Sequence, residues 1–187
     1  MDPTHPSSAV QATKLSKRRP TLQRRVRTQG GVVSGSVISM EMGATRHINQ
    51  PADEVFKFLA DVANNPLWQS GMRSCTWTSE PPIGVGSTYK QHARFMGKTV
   101  GSTFVVTVYE LGRRITFTSV ESTFPSEVDR AVVPTGPESC RVTAVIRGGP
   151  QGTIAGLVGP FVGRMAQNVI NRDYDRLVEV LESGTHS

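Results

Sequence analysis

Two periods divide the chain. From Met42 to Arg147 apolar residues mostly alternate with polar ones, as in strands with one buried and one wet face. From Gln151 onward they recur every three or four positions, as on one side of an amphipathic helix. The alternating region reads as seven strands: Met42–Ile48, Ser74–Ser79, Ser87–Met96, Thr99–Glu110, Arg114–Glu121, Val128–Val133 and Ser139–Arg147. Glycine and proline mark turns at Pro81–Gly86, Gly97-Lys98, Leu111–Arg113 and Pro134–Pro137.

Between the first two strands the period changes briefly. Pro51 suits the first turn of a helix, Asp53 and Glu54 complement the positive end of its dipole, and Val55, Phe56 and Leu59 fall on one face. Asn64-Asn65-Pro66 then begins a second short helical turn that carries Trp68. At the other end, Ile154, Leu157, Phe161, Met165, Val169, Arg172 or Asp173, Leu177 and Leu181 trace one stripe. Pro160 is expected to open the main helix, because an interior proline clashes with the preceding turn, which leaves residues 152–158 as a separate turn or kinked lead-in. Gly152, Gly156, Gly159 and Gly163 suit close packing or a bend; a mobile gate beside a cavity and a membrane-inserting patch are the other readings. The order predicts an α+β fold in which a curved antiparallel sheet wraps a long helix.

Charge separates a tail from this domain. The net charge is +6, and residues 1–36 carry seven Lys or Arg against Asp2 alone, leaving fourteen basic and fourteen acidic residues in 37–187. The domain therefore has little net field for a polyanion, and nucleic acid is not expected as its partner. The tail is too poor in apolar residues to fold alone, so 1–36 reads as disordered. Two other readings stand: a targeting or polybasic arm suited to an anionic partner, or a natural start near Met40 or Met42 in a GC-rich bacterial gene. The rest, 37–184, reads as one domain.

Cys75 and Cys140 lie far apart in strand-like runs, which fits small buried side chains in a reducing compartment, with a disulfide or a reactive thiol as the alternatives. With no run of eighteen apolar residues and no secretory signal, a cytoplasmic protein is expected. Motifs for zinc, nucleophilic serine and nucleotide phosphates do not occur, so no metal and no cofactor is expected. His92 has Lys90 and Arg94 at alternate positions and is expected on the solvent face.

Six segments in order carry a resemblance. They are I-x-x-P-x-x-E-V-F-x-F-L-x-D at Ile48–Asp61, N-x-P-x-W at Asn64–Trp68, P-I-G-V-G-S-x-Y at Pro82–Tyr89, V-x-V-Y-E-x-x-R-R-I-x-F at Val106–Phe117, a proline turn with R-V-T at Pro134–Thr143, and the closing L-V-E-V-L-E. Glu41–Glu182 thus resembles the START-like (SRPBCC, birch-pollen-allergen type) superfamily, in its polyketide cyclase/dehydrase branch. Leu111 stands where that family often has proline, and Ser139-Cys140 where it often has Gly-Thr. The resemblance implies a helix-grip: seven strands around a long C-terminal helix, two short helices after the first strand, and a mostly apolar pocket between sheet and helix.

The wall so implied comprises Phe56, Leu59 and Trp68 from the short helices, and Tyr89, Phe95, Phe104, Val106, Tyr109, Phe117 and Val132 from the strands. Leu157, Phe161, Met165 and Val169 complete it from the long helix; for each residue, ordinary core packing is the alternative. If the chain is an enzyme, the resemblance points to aldol-type cyclisation or dehydration, with Arg130, Tyr109, Tyr89 and Asn168 as candidate polar groups. An edge-strand salt bridge is the alternative for Arg130, and a wet helix flank for Asn168. Three functions are therefore carried forward: binding or transfer of a small hydrophobic molecule such as a lipid or polyketide, a polyketide cyclase or dehydratase using the same pocket, and a regulator acting through its basic tail.

Overall fold

The computed structural model describes residues 40–95, 97–148 and 154–184, with side chains throughout except at residue 95 and residues 154–162. The readings of the 1–36 tail lie outside the described residues. The elements are β1 (Met40–Ile48), α1 (Ala52–Ala60), a 3-10 turn (Val62–Asn64), α2 (Asn65–Trp68), β2 (Met72–Trp77), β3 (Thr88–Phe95), β4 (Lys98–Glu110), β5 (Arg114–Ser122), β6 (Ser126–Gly136), β7 (Ser139–Gly148) and α3 (Ile154–Glu182).

The strands form one antiparallel sheet in the order β1-β7-β6-β5-β4-β3-β2. Hairpins join β2 through β7 in sequence, and Gly97 turns the β3–β4 hairpin at a φ of +82, which an L side chain rarely adopts. The pairing of β1 with β7 brings the two ends of the domain together. The sheet curls into a half-barrel, and α3 lies in its open side, as expected of a helix-grip.

The concave face holds the core. Ala44 and Ile48 of β1, Phe104 and Val106 of β4, Ile115 and Phe117 of β5, Val132 of β6, and Cys140, Val142 and Ala144 of β7 are buried against α1 and the end of α3. Strict alternation would put Tyr109 on the opposite face from Phe104 and Val106. The β4–β5 register slips between Val106 and Val108, so Thr107 is the extra residue and Tyr109, paired with Ile115, returns to the inner side. Cys75 and Cys140 are buried and unpaired with each other.

Side chains of α3 stitch it to the edge strand. Arg46 reaches Asp175 at 2.7 Å and the Asn171 carbonyl at 3.1 Å, and Glu182 accepts from the Asn49 backbone N–H at 2.8 Å. Gln167 accepts from the Gly43 N–H at 3.2 Å and donates to the Gly43 C=O at 2.7 Å. Across the gap, Asp173 accepts from both the backbone N–H and the hydroxyl of Ser70. No helix among the described residues is long and apolar enough to cross a membrane.

Two boundaries differ from expectation. The helix α3 runs through Pro160 as one element instead of opening there; the missing N–H forfeits one bond, and the tertiary anchoring of the helix outweighs it. The turn expected at Pro134–Pro137 lies further on, because β6 continues to Gly136 and pairs with Ser139. Pro134 is tolerated since β5 pairs with β6 only as far as Ala131, so the proline's ring side faces no neighbouring strand.

Candidate functional site

The site begins where α1 ends. The last carbonyls of a helix lack intrahelical donors, and two side chains supply them: Asn64 Nδ2 donates to the Phe58 carbonyl at 3.0 Å, and Arg130 Nη1 to the Leu59 carbonyl at 3.1 Å. Arg130 stands in the middle of β6, on the same inner face as Val128 and Val132, and places a cation at the negative end of the helix. Its Nη1 also donates to Asn65 Oδ1 at 3.2 Å. Asn65 is held in turn by α2, and its amide nitrogen donates to Cys75 Sγ at 3.7 Å.

Arg130 is 4% exposed, a rare burial for a permanent cation. The expected alternative, an edge-strand ion pair, is not what it makes. β6 lies between β5 and β7, and among the described residues no carboxylate comes within 4.0 Å of its guanidinium. Aromatic faces surround it instead: its Cζ lies 5.0 Å from the Trp68 ring centroid and 5.6 Å from that of Phe117. Trp68 meets Tyr174 of α3 edge-on at 5.0 Å.

Two buried donors in this cluster have no acceptor: Nε of Arg130 and Nε1 of Trp68. Leaving such a group unsatisfied costs about 1–3 kcal/mol, so two in adjoining side chains mark a place where an acceptor belongs. Burial pushes the Tyr89 and Tyr174 phenols and the Cys75 thiol upward, and the positive charge of Arg130 opposes the shift in each case. All three groups are therefore neutral near pH 7.

These side chains border a cavity of about 150 Å³ between the sheet and α3. Its apolar wall is made by Met72, Val128, Ile146 and Ile170 with the rings of Trp68, Tyr89 and Phe104; Asn65, Gln91, Ser126, Arg130 and Tyr174 are polar members. Asp173 also borders it, with Oδ1 engaged by Ser70. Among the described residues no group of His, Cys, Asp and Glu is arranged to hold a metal ion.

Of the wall residues expected from the sequence, Trp68, Tyr89 and Phe104 border the cavity. Phe56, Leu59, Val106, Phe117 and Val132 are buried in the core beside it, and Tyr109 packs edge-on against Phe56 at 5.8 Å. Met165 and Val169 are 55% and 36% exposed, away from the cavity. The side chains of Phe95, Leu157 and Phe161 lie outside the described residues. Among the polar candidates, Arg130 and Tyr89 border the cavity, whereas Tyr109 does not and Asn168 is exposed on α3. His92 is exposed, as expected, and its Nδ1 lies 3.2 Å from Ser74 Oγ.

Among the cavity residues that sequence reasoning missed are Asn65, Tyr174, Ile170 and Gln91. For Tyr174 and Ile170 a signal existed: counting back from Leu181 by alternating steps of three and four gives Leu177, Tyr174, Ile170 and Gln167, the face turned to the sheet.

Among solved structures the chain is similar to a protein from Thermus thermophilus, TTHA0849 (21% identity, TM-score 0.67, covering 78% of this chain and 99% of that one). It is also similar to a START superfamily protein from Mycobacterium smegmatis (16% identity, TM-score 0.67, 76% and 97%) and to the Zhui aromatase/cyclase from Streptomyces sp. R1128 (16% identity, TM-score 0.61, 78% and 93%). Identities this low establish a shared fold. No protein of curated function matches the sequence. Residues 39–183 match the family described as "Polyketide cyclase / dehydrase and lipid transport", the whole of the helix-grip just described, and the chain belongs to that family.

Proposed function

We propose that this domain binds a small, mostly apolar molecule in the cavity between the concave sheet face and α3. The observation that carries the reading is the cavity itself, where aromatic and aliphatic side chains share the wall with polar groups that could orient a ligand, as in small-molecule sites. The family's description, which joins cyclases with lipid transport, fits an apolar ligand. The test is a native mass spectrum of protein purified gently from its own cells, beside a Val128→Phe variant that fills the space. A retained small molecule that the variant lacks supports the reading; no retained molecule in either, together with no stabilisation by any apolar compound, would sink it.

One observation favours a second reading, an enzyme of cyclase type. Arg130 and the Tyr174 phenol adjoin one another in the cavity wall, and a cation beside a neutral hydroxyl is suited to an enolate oxygen. The aromatase/cyclase among the similar structures lends it weight. In an aldol-type closure a carbon–carbon bond forms and water leaves, so a linear poly-β-ketone would return dehydrated from the wild type. Arg130→Met would slow that conversion by orders of magnitude. Recovery of the compound unchanged leaves binding as the function.

A further inference from the structure

We propose that the cavity is the seat of a monocarboxylic acid about the size of one aromatic ring, its carboxylate received by Arg130 Nε and Trp68 Nε1. This rests on the ligand-binding reading and names the class of ligand. Three observations lead to it. Arg130 is buried without a carboxylate partner, its Nη1 holding the neutral oxygens of Leu59 and Asn65. Two donors in adjoining side chains of the cavity wall, Arg130 Nε and Trp68 Nε1, have no acceptor. The rest of the wall offers an apolar side, from Met72, Phe104, Val128, Ile146 and Ile170, beside the polar side chains already described.

A water molecule could accept from both donors, but it would leave the positive charge uncompensated, and a buried charge is costly unless paired. A carboxylate satisfies the donors and the charge together, in charge-assisted bonds about twice as strong as neutral ones. A phosphate carries roughly −1.5 to −2 at neutral pH and would leave surplus negative charge beside Asp173. Asp173 borders the same cavity but does not pair with Arg130: Ser70 engages its Oδ1, and it makes no ion pair with the guanidinium within 4.0 Å. As for size, the cavity measures about 150 Å³, and an apolar space of roughly that volume takes a benzene-sized body.

The experiment is calorimetric titration of the full chain with benzoate, benzyl alcohol, phenyl phosphate and dodecanoate. Benzoate is expected to bind at least roughly tenfold more tightly than benzyl alcohol. Arg130→Met is expected to remove that difference while benzyl alcohol still binds. Trp68→Phe, which keeps a ring and loses the donor, is expected to weaken benzoate by a larger factor than it weakens benzyl alcohol. Should Arg130→Met fail to fold, as judged by circular dichroism, the wild-type contrast and Trp68→Phe decide.

Equal affinity for benzoate and benzyl alcohol would overturn the acid seat and leave the apolar cavity standing. Tightest binding of phenyl phosphate would overturn the single-charge assignment, and binding of dodecanoate without benzoate the size assignment. Heat from none of the four would overturn the cavity reading itself.

Discussion

The guanidinium carbon of Arg130 lies 5.0 Å from the centroid of the Trp68 ring, and that ring, with Phe117 and two neutral oxygens, stands where a counter-ion would be expected. Arg130 therefore contributes little to stability in the empty protein. Replacing it with methionine removes a buried unpaired charge but leaves the Leu59 carbonyl and Asn65 Oδ1 each short of a donor, and these effects offset. Arg130→Met is expected to unfold in urea within about 1 kcal/mol of the wild type. Trp68→Ala, which empties a fully buried ring position, should cost about 3–5 kcal/mol. A loss above roughly 3 kcal/mol for Arg130→Met would show that the arginine is a structural strut.

Alkaline solution should weaken the fold, and in two stages. Burial raises the thiols of Cys75 and Cys140 above their ordinary 9.0 and the phenols of Tyr89 and Tyr174 above their ordinary 10.0. A raised acid is protonated in the folded chain at pH values where the unfolded chain has already released its proton. Its stabilising contribution is thus complete below the unfolded value and is lost as pH rises toward the folded one. Urea midpoints measured from about pH 7 to 11 should hold level to about pH 9 and then fall. A Cys75→Ala/Cys140→Ala double variant should lose the first stage of that fall and keep the later one; an unchanged profile would rule out the thiols as its cause.

Gly43 and Gln167 should be linked in stability. A Cβ on Gly43 would lie 2.7 Å from the Ala144 backbone oxygen, so Gly43→Ala must displace β1 from β7. Gln167→Leu removes both side-chain bonds to the Gly43 peptide and is expected to cost about 1–2 kcal/mol. Gly43→Ala should cost more than Gln167→Leu. A double variant should cost less than the two losses added, because displacing β1 already loosens the Gln167 bonds.

By contrast, the shortest ion pair on α3 should matter little. Asp175, 2.7 Å from Arg46, is 60% exposed, and exposed pairs contribute about 0–1 kcal/mol. Asp175→Ala is expected to shift the denaturation midpoint less than Gln167→Leu, and its effect should shrink further in about 1 M salt. A larger effect than that of Gln167→Leu would mean that the pair holds the helix in register.

The fold was legible in the sequence because its signals are local and repeated. Alternation marked the strands, Pro51 with Asp53 and Glu54 marked α1, and six ordered segments carried the family resemblance. The site was legible in part. Arg130 could be singled out by its parity with Val128 and Val132, but its environment depends on Leu59 and Asn65, about seventy residues away, and no periodicity reports that contact. The stripe on α3 went astray for a geometric reason. Phe161, Met165 and Val169 advance by steps of four, each of which rotates about 40° past a full turn, so apolar identity drew the reading off the face that Gln167 and Tyr174 occupy. Proline misled twice, at Pro134 and Pro160, because its cost depends on whether a donor was needed there, and that is a property of the neighbours.

The two bonds between Gln167 and Gly43 also bear on how the molecule meets copies of itself. β1 is a border strand, and its outward N–H and C=O groups are what a strand from another chain would pair with. At Gly43 both are already occupied by an amide from the same chain, which imitates the next strand without offering one of its own. At this one position the border is thus closed by a glutamine, and its removal would free a backbone N–H and C=O as well as loosen a helix.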